Sequence, residues 1–128
     1  MLPGPQQFLD FVDLIGLRFG WRVFPTRRTL LQCLDETRTL NDDSGNPTVE
    51  AASIFFVLAW DERRLGTSAW HILPVAAALR YLYERRLMLR SADDLGELGW
   101  LRHSVAEGSA DWVTVRAWFL ERTGPRPL

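Results

Sequence analysis

Lysine is absent from this 128-residue chain: all 15 basic residues are arginine. Schiff-base chemistry, a lysine general base and a Walker-type phosphate lysine are thereby excluded. Cys33 is the single cysteine, which leaves no internal disulfide framework and no cysteine-based zinc site. His71 and His103 are the only histidines, too few for a histidine-rich metal site. No apolar run approaches the roughly 18 residues of a membrane span, and the first residues carry no positive region of the secretory kind. Net charge is −1, so neither a strongly basic nucleic-acid binder nor an acidic tail is expected. Those absences predict a cytoplasmic protein without membrane or nucleic-acid partners.

Hydrophobic residues make up 47% and charged residues 24%, enough for one globular core. The expectation is a single domain over 1–128, with 124–128 as a tail. Gln6 to Phe19 reads as a first helix, with Phe8, Phe11, Val12, Ile15 and Phe19 on one face and Gly20 to stop it. A second helix runs from about Thr29 to Thr39, turning Leu30, Leu31, Cys33 and Leu34 inward; there Cys33 reads as a buried structural thiol. Turn chemistry from Asn41 to Pro47 allows at most one small hairpin near 40–47.

Thr48 is the expected cap of a third helix reaching about Glu62. The fourth helix starts near Ser68 or Trp70, and Arg85, Arg86 and Arg90 close it. Its stretch from Val75 to Leu82 is small and apolar all round, which predicts the most buried, central helix. Enlarging Ala77 there should overpack the centre by about 1–3 kcal/mol. Ser91 and Asp94 resemble a capping box for a fifth helix carrying Leu95, Leu98, Leu101 and Val105 to Gly108. Asp111 caps a sixth, whose face is Trp112, Val115, Trp118 and Phe119. The predicted fold is an all-α bundle of about six helices around a central one.

Motifs that carry chemistry are scarce. His71 beside Ser68 or Asp61 suggests a catalytic set, but a first-turn histidine capping the fourth helix is the favoured reading. The 42–46 segment lacks the ligand spacing of a calcium loop and reads as a solvated turn. Arg63-Arg64 and Arg85-Arg86 stand beside Asp61, Glu62 and Glu84, so local ion pairs on solvated faces are expected. The sixth helix is aromatic rather than basic, unlike a DNA-recognition helix.

The order of segments resembles the death-on-curing (Doc) branch of the Fic/Doc family over nearly the whole chain. Phe11-Val12-Asp13-Leu14-Ile15 through Phe19-Gly20 is similar to that family's opening helix, and Thr29 to Leu34 to its second. Pro47 to Ala52 leads into the third helix in the family manner. Ala76 to Leu82 resembles its small-residue central helix. The segments Ser91 to Leu95, Val105 to Gly108 and Val115 to Phe119 resemble its closing helices. The family signature, H-x-F-x-[DE]-[GA]-N-[KG]-R, should then fall on Arg64 to Ile72.

Only Ala69 fits that signature. Arg64 stands at the general-base histidine, Ser68 at the metal-binding acid, Trp70 at the asparagine, His71 at the lysine or glycine, and Ile72 at the arginine. The base, the magnesium ligand and the phosphate clamp are lost together. The resemblance implies the fold and argues against the family's AMP or phosphate transfer. It points to a catalytically inactive, pseudoenzyme-like member with no catalytic residue, metal or cofactor. Such a protein would work by binding another protein, such as an antitoxin-like helix within a toxin–antitoxin system.

Two other readings stay open: a divergent transferase using His71 and Arg64, and an unrelated helical structural or phage-associated domain. A remnant anion site is also conceivable where the turn Thr67-Ser68-Ala69 enters the fourth helix. Arg63, Arg64 and His71 would lie beside it, with Trp70 as an apolar wall. Capping by Ser68 is the simpler role for that turn.

Overall fold

The computed structural model describes residues 2–21, 24–41, 45–65 and 71–127, with the main chain alone over 63–65. Six helices occur among the described residues: α1 (Pro5–Arg18), α2 (Arg27–Asn41), α3 (Pro47–Leu65), α4 (Ile72–Glu84), α5 (Asp93–Glu107) and α6 (Trp112–Arg122). Two short strands, β1 (Leu87–Leu89) and β2 (Thr123–Pro125), complete the element order. The fold is thus a mostly helical bundle, as the periodicity predicts. No helix among the described residues is long and apolar enough to cross a membrane.

Local chemistry sets most boundaries. Thr26 Oγ1 accepts from the Thr29 amide at 3.2 Å and opens α2. Asn46, rather than Thr48, opens α3: its Oδ1 accepts from the Thr48 amide at 2.9 Å, and Pro47 takes the first helical position, where no N–H is needed. Ser91 and Asp94 make one arm of the expected capping box, while the Ser91 hydroxyl serves Asp93 instead and Ala92 stands at the N-cap position. The Asp94 carboxylate accepts from the Ser91 amide, and Ser91 Oγ accepts from the Asp93 amide, both at 3.2 Å. Asp111 accepts from the Thr114 amide at 2.9 Å, and that bond holds its carboxyl below its ordinary value. Gly20 and Gly108 stop α1 and α5 with φ of 69° and 82°, the left-handed region that glycine enters without strain.

The central helix is α3, not the 75–82 segment. α3 packs against α2, α4, α5 and α6, and its Ala51, Ala52, Phe55 and Ala59 are fully buried. The Phe55 ring meets Phe119 at 5.5 Å between centroids, and Phe56 meets Trp112 at 6.0 Å. α4 buries Leu73, Ala77, Ala78, Tyr81 and Leu82 but leaves Val75, Ala76 and Leu79 only partly covered. Small apolar side chains all round permit a central position without requiring one. Leu95 likewise turns outward, because the inward stripe of α5 is Asp94, Leu98, Leu101 and Val105. Phe19, beyond the last turn of α1, is exposed as well.

The chain after α4 departs further from expectation. The helix ends at Glu84, Arg86 turns the chain with φ of 60°, and β1 follows where Arg86 and Arg90 were expected to close a helix. β1 pairs antiparallel with β2, in the register Leu87–Pro125, Met88–Gly124 and Leu89–Thr123. The supposed tail at 124–128 is therefore partly a strand. Backbone bonds from Arg90 N to Arg122 O and from Arg126 N to Arg86 O flank the ladder. This pair, and not a hairpin near 40–47, is the strand structure among the described residues; 42–44 lie outside them.

Gly16 shows how closely the end of α1 is covered. A Cβ there would run into the rings of Phe24 and Trp21, which meet edge to face at 5.9 Å. Gly16→Ala is expected to lower stability by about 1–3 kcal/mol, opposite in sign to the usual helical Gly→Ala gain. Urea denaturation of the two proteins measures the difference.

Candidate functional site

α3 carries three buried carboxylates, Glu50, Asp61 and Glu62, and each draws a partner from a distant part of the chain. Burying a carboxylate is costly unless hydrogen bonds or opposite charge offset it. Asp61 Oδ2 accepts from the Cys33 thiol at 2.6 Å, and Cys33 is buried as expected. Arg102 Nη1 donates to both oxygens of Glu62, at 2.9 Å to Oε1 and 3.1 Å to Oε2. His71 Nδ1 lies 3.0 Å from the same Oε1.

This cluster corrects two expectations. Asp61 and Glu62 face the core at 4% and 5% exposure instead of serving a solvated face. His71 stands at the N-cap position of α4 with helical backbone angles and makes no side-chain cap bond. Its carboxylate neighbour is Glu62 rather than Asp61. The arrangement fixes the exposed imidazole from one side, and Arg102 fixes the carboxylate in turn. Of the expected anion site, Arg63 and Arg64 lie on the last turn of α3, while Thr67, Ser68, Ala69 and Trp70 lie outside the described residues. Among the described residues no three His, Cys, Asp or Glu side chains are grouped to hold a metal ion.

A concavity among the described residues lies elsewhere, between α1 and α4. It measures about 540 Å³, a size that suits a ligand or the side chains of a docked segment. Phe8, Phe11 and Leu14 line it from α1, Ile54 from α3, and Ala77 and Tyr81 from α4, with Leu2 and Pro3 from the segment before α1. Arg80, Glu84 and Asp10 form its charged rim. Arg80 Nε binds Glu84 Oε1 at 2.7 Å, and its guanidinium lies 5.6 Å from the Phe11 ring centre. Leu14 is 51% exposed, and Leu17 one turn on is more open still, so the apolar surface continues along α1 beyond the cleft.

Behind the cleft wall, Tyr81 links α4 to the first turn of α3. Its hydroxyl hydrogen-bonds the buried Glu50 carboxylate, and the Arg85 guanidinium lies 3.7 Å above its ring. Burial, then the bond to Glu50 and its charge, push the Tyr81 hydroxyl well above its ordinary ionisation range; Arg85 opposes this more weakly. With the folded value raised, the stabilisation is complete below pH about 10 and is lost as pH rises past the unfolded value, since the unfolded chain releases its proton first. Tyr81→Phe is expected to cost about 1–3 kcal/mol at neutral pH, because Glu50 loses a donor. It should also flatten the alkaline fall in stability. Denaturant melts at neutral and alkaline pH check both effects.

Sequence reasoning missed this cleft. Phe11, Leu14 and Leu17 recur every three residues on a second face of α1, beside the stripe of Phe8, Val12 and Ile15. That repetition was the available signal. Set against protein-family models, curated proteins and solved structures, the chain matches none of them.

Proposed function

We propose that this chain is a Doc-like helical scaffold that works by binding a protein partner, and that its α1–α4 cleft receives an amphipathic helix of that partner. The cleft carries the reading. Its apolar walls, its charged rim and the exposed Leu14 and Leu17 beside it suit apolar anchors spaced along one helical face. The Doc resemblance supplies the setting, a toxin–antitoxin pair in which a helix occupies a groove. The side chains at the signature positions offer neither the acid for magnesium nor the phosphate clamp, so AMP or phosphate transfer from ATP is not expected.

The test is affinity capture from the native host with wild-type protein, Leu14→Arg and Val113→Arg, the last an exposed position on α6. A stoichiometric small helical partner held by wild type and Val113→Arg, but lost from Leu14→Arg, is the expected result. Retention by Leu14→Arg would place recognition elsewhere. One observation favours a second reading: Glu62 holds His71 in a fixed orientation, as a general base requires. Label passing from ATP to a host protein, and disappearing in His71→Ala, would establish that divergent transferase and overturn the binding-only reading.

A further inference from the structure

The two-stranded ribbon gathers three arginines. Register and side-chain alternation put Leu89 and Thr123 on its inner face, where both are buried. Met88 and Gly124 are paired on the outer face. Backbone bonds continue the ladder to Arg86 and Arg126 at one end and to Arg90 at the other. Arg86 and Arg90 are exposed, and Arg126 is half-buried. Among the described residues none of the three pairs with a carboxylate, whereas Arg80, Arg102 and Arg122 each do.

Two of the three are held in place by packing. Gly124 has no positive φ that would require glycine, and glycine within a strand weakens it. Its role is space: a Cβ there would come within 2.9 Å of Arg90 Nε and 3.2 Å of its Cγ, so the Arg90 side chain lies across the strand. Arg126 stacks on the exposed Tyr83, with Cζ 3.9 Å from the ring centre. Both guanidinium groups are thus positioned in advance, and a positioned arginine fork loses little freedom on bonding an oxyanion. Like charges brought together repel, and an anion between them removes that cost.

The ligand follows from the donors. Three guanidinium groups suit a phosphate monoester, which has three oxygens to share and nearly two negative charges, better than a single carboxylate. A long polyanion fits poorly. Glu84 and Glu121 stand exposed just before the two strands, and the exposed Glu97 lies against Arg122. We propose that the outer face of the β1–β2 ribbon binds a phosphate monoester through Arg86, Arg90 and Arg126. The phosphate belongs either to a small metabolite or to a modified protein side chain, and the test separates the two.

Heteronuclear correlation spectra of the full chain, titrated with inorganic phosphate at constant ionic strength, test this. Saturable shifts are expected at the Gly124 amide and the Nε–H groups of Arg90 and Arg126, and not with chloride. Arg90→Gln and Arg126→Gln should each weaken phosphate binding at least about fivefold. Arg28→Gln, an exposed position on α2, should leave it unchanged. Melting each variant without phosphate separates loss of the site from loss of the fold. Tighter binding of glycerol phosphate than of a phosphoserine peptide assigns the site to a metabolite, and the reverse order to a modified protein. Shifts that chloride reproduces, or that survive both arginine variants, overturn the proposal. So does a short oligonucleotide that binds more tightly than either monoester.

Discussion

Phe55→Ala should lower unfolding free energy by about 3–5 kcal/mol, the cost of deleting a fully enclosed phenyl ring and leaving a partly unfilled cavity. Phe55 has no exposed surface and lies mid-way along α3. Its ring rests on Phe119, which in turn meets Trp118 edge-on at 5.2 Å, so the truncation strips contacts from both α3 and α6. Ala77→Leu provides the comparison. Ala77 is buried but borders the α1–α4 cleft, where added methyl groups have space to enter. Its cost should therefore fall at or below the low end of the usual overpacking range of about 1–3 kcal/mol. Urea denaturation of the two variants orders them. An Ala77→Leu loss larger than that of Phe55→Ala would restore α4 to the centre of the bundle.

Arg102→Ala is the second large effect, expected at about 2–4 kcal/mol. The fold gains little from the pair as such, because bringing two charges out of water offsets much of their attraction. The loss comes from stranding Glu62, whose carboxylate would keep, among the described residues, the exposed His71 beside it. Adding Glu62→Gln to Arg102→Ala should recover part of the loss, since a neutral amide is cheaper to bury than a lone carboxylate. The double variant standing above Arg102→Ala in denaturant midpoint is the expected order. Equal midpoints would mean that Glu62 is not held by Arg102 in solution.

These two sites mark where the sequence is readable and where it is not. Helix number, the Asp111 cap, the Ser91–Asp94 pair and the stops at Gly20 and Gly108 depend on residues within one turn of each other, so local patterns reveal them. The centrality of α3 does not follow from local patterns. Glu50, Asp61 and Glu62 give both of its ends the look of a solvated face. The groups that make their burial tolerable, Tyr81, Cys33 and Arg102, stand 28 to 40 residues away where the separation is fixed by the Cys33 and Arg102 bonds. β1 and β2, at three residues each, are too short to display strand alternation.

Site positions follow the same division. The arginine pair at 63–64 and the histidine at 71 are visible in the letters, but the orientation of Glu62 toward Arg102 is tertiary information. The cleft requires knowing that α1 lies against α4. Its only local trace is the second apolar row on α1, Phe11, Leu14 and Leu17, which periodicity alone merges with the core-facing stripe.

Titration calorimetry of the captured partner's helical segment against wild-type protein, Leu14→Arg and Val113→Arg tests the central claim most directly. The cleft reading predicts one segment per chain, at least a tenfold weaker affinity for Leu14→Arg, equivalent to about 1.4 kcal/mol, and no change for Val113→Arg. Equal affinity of all three proteins for the segment would contradict it.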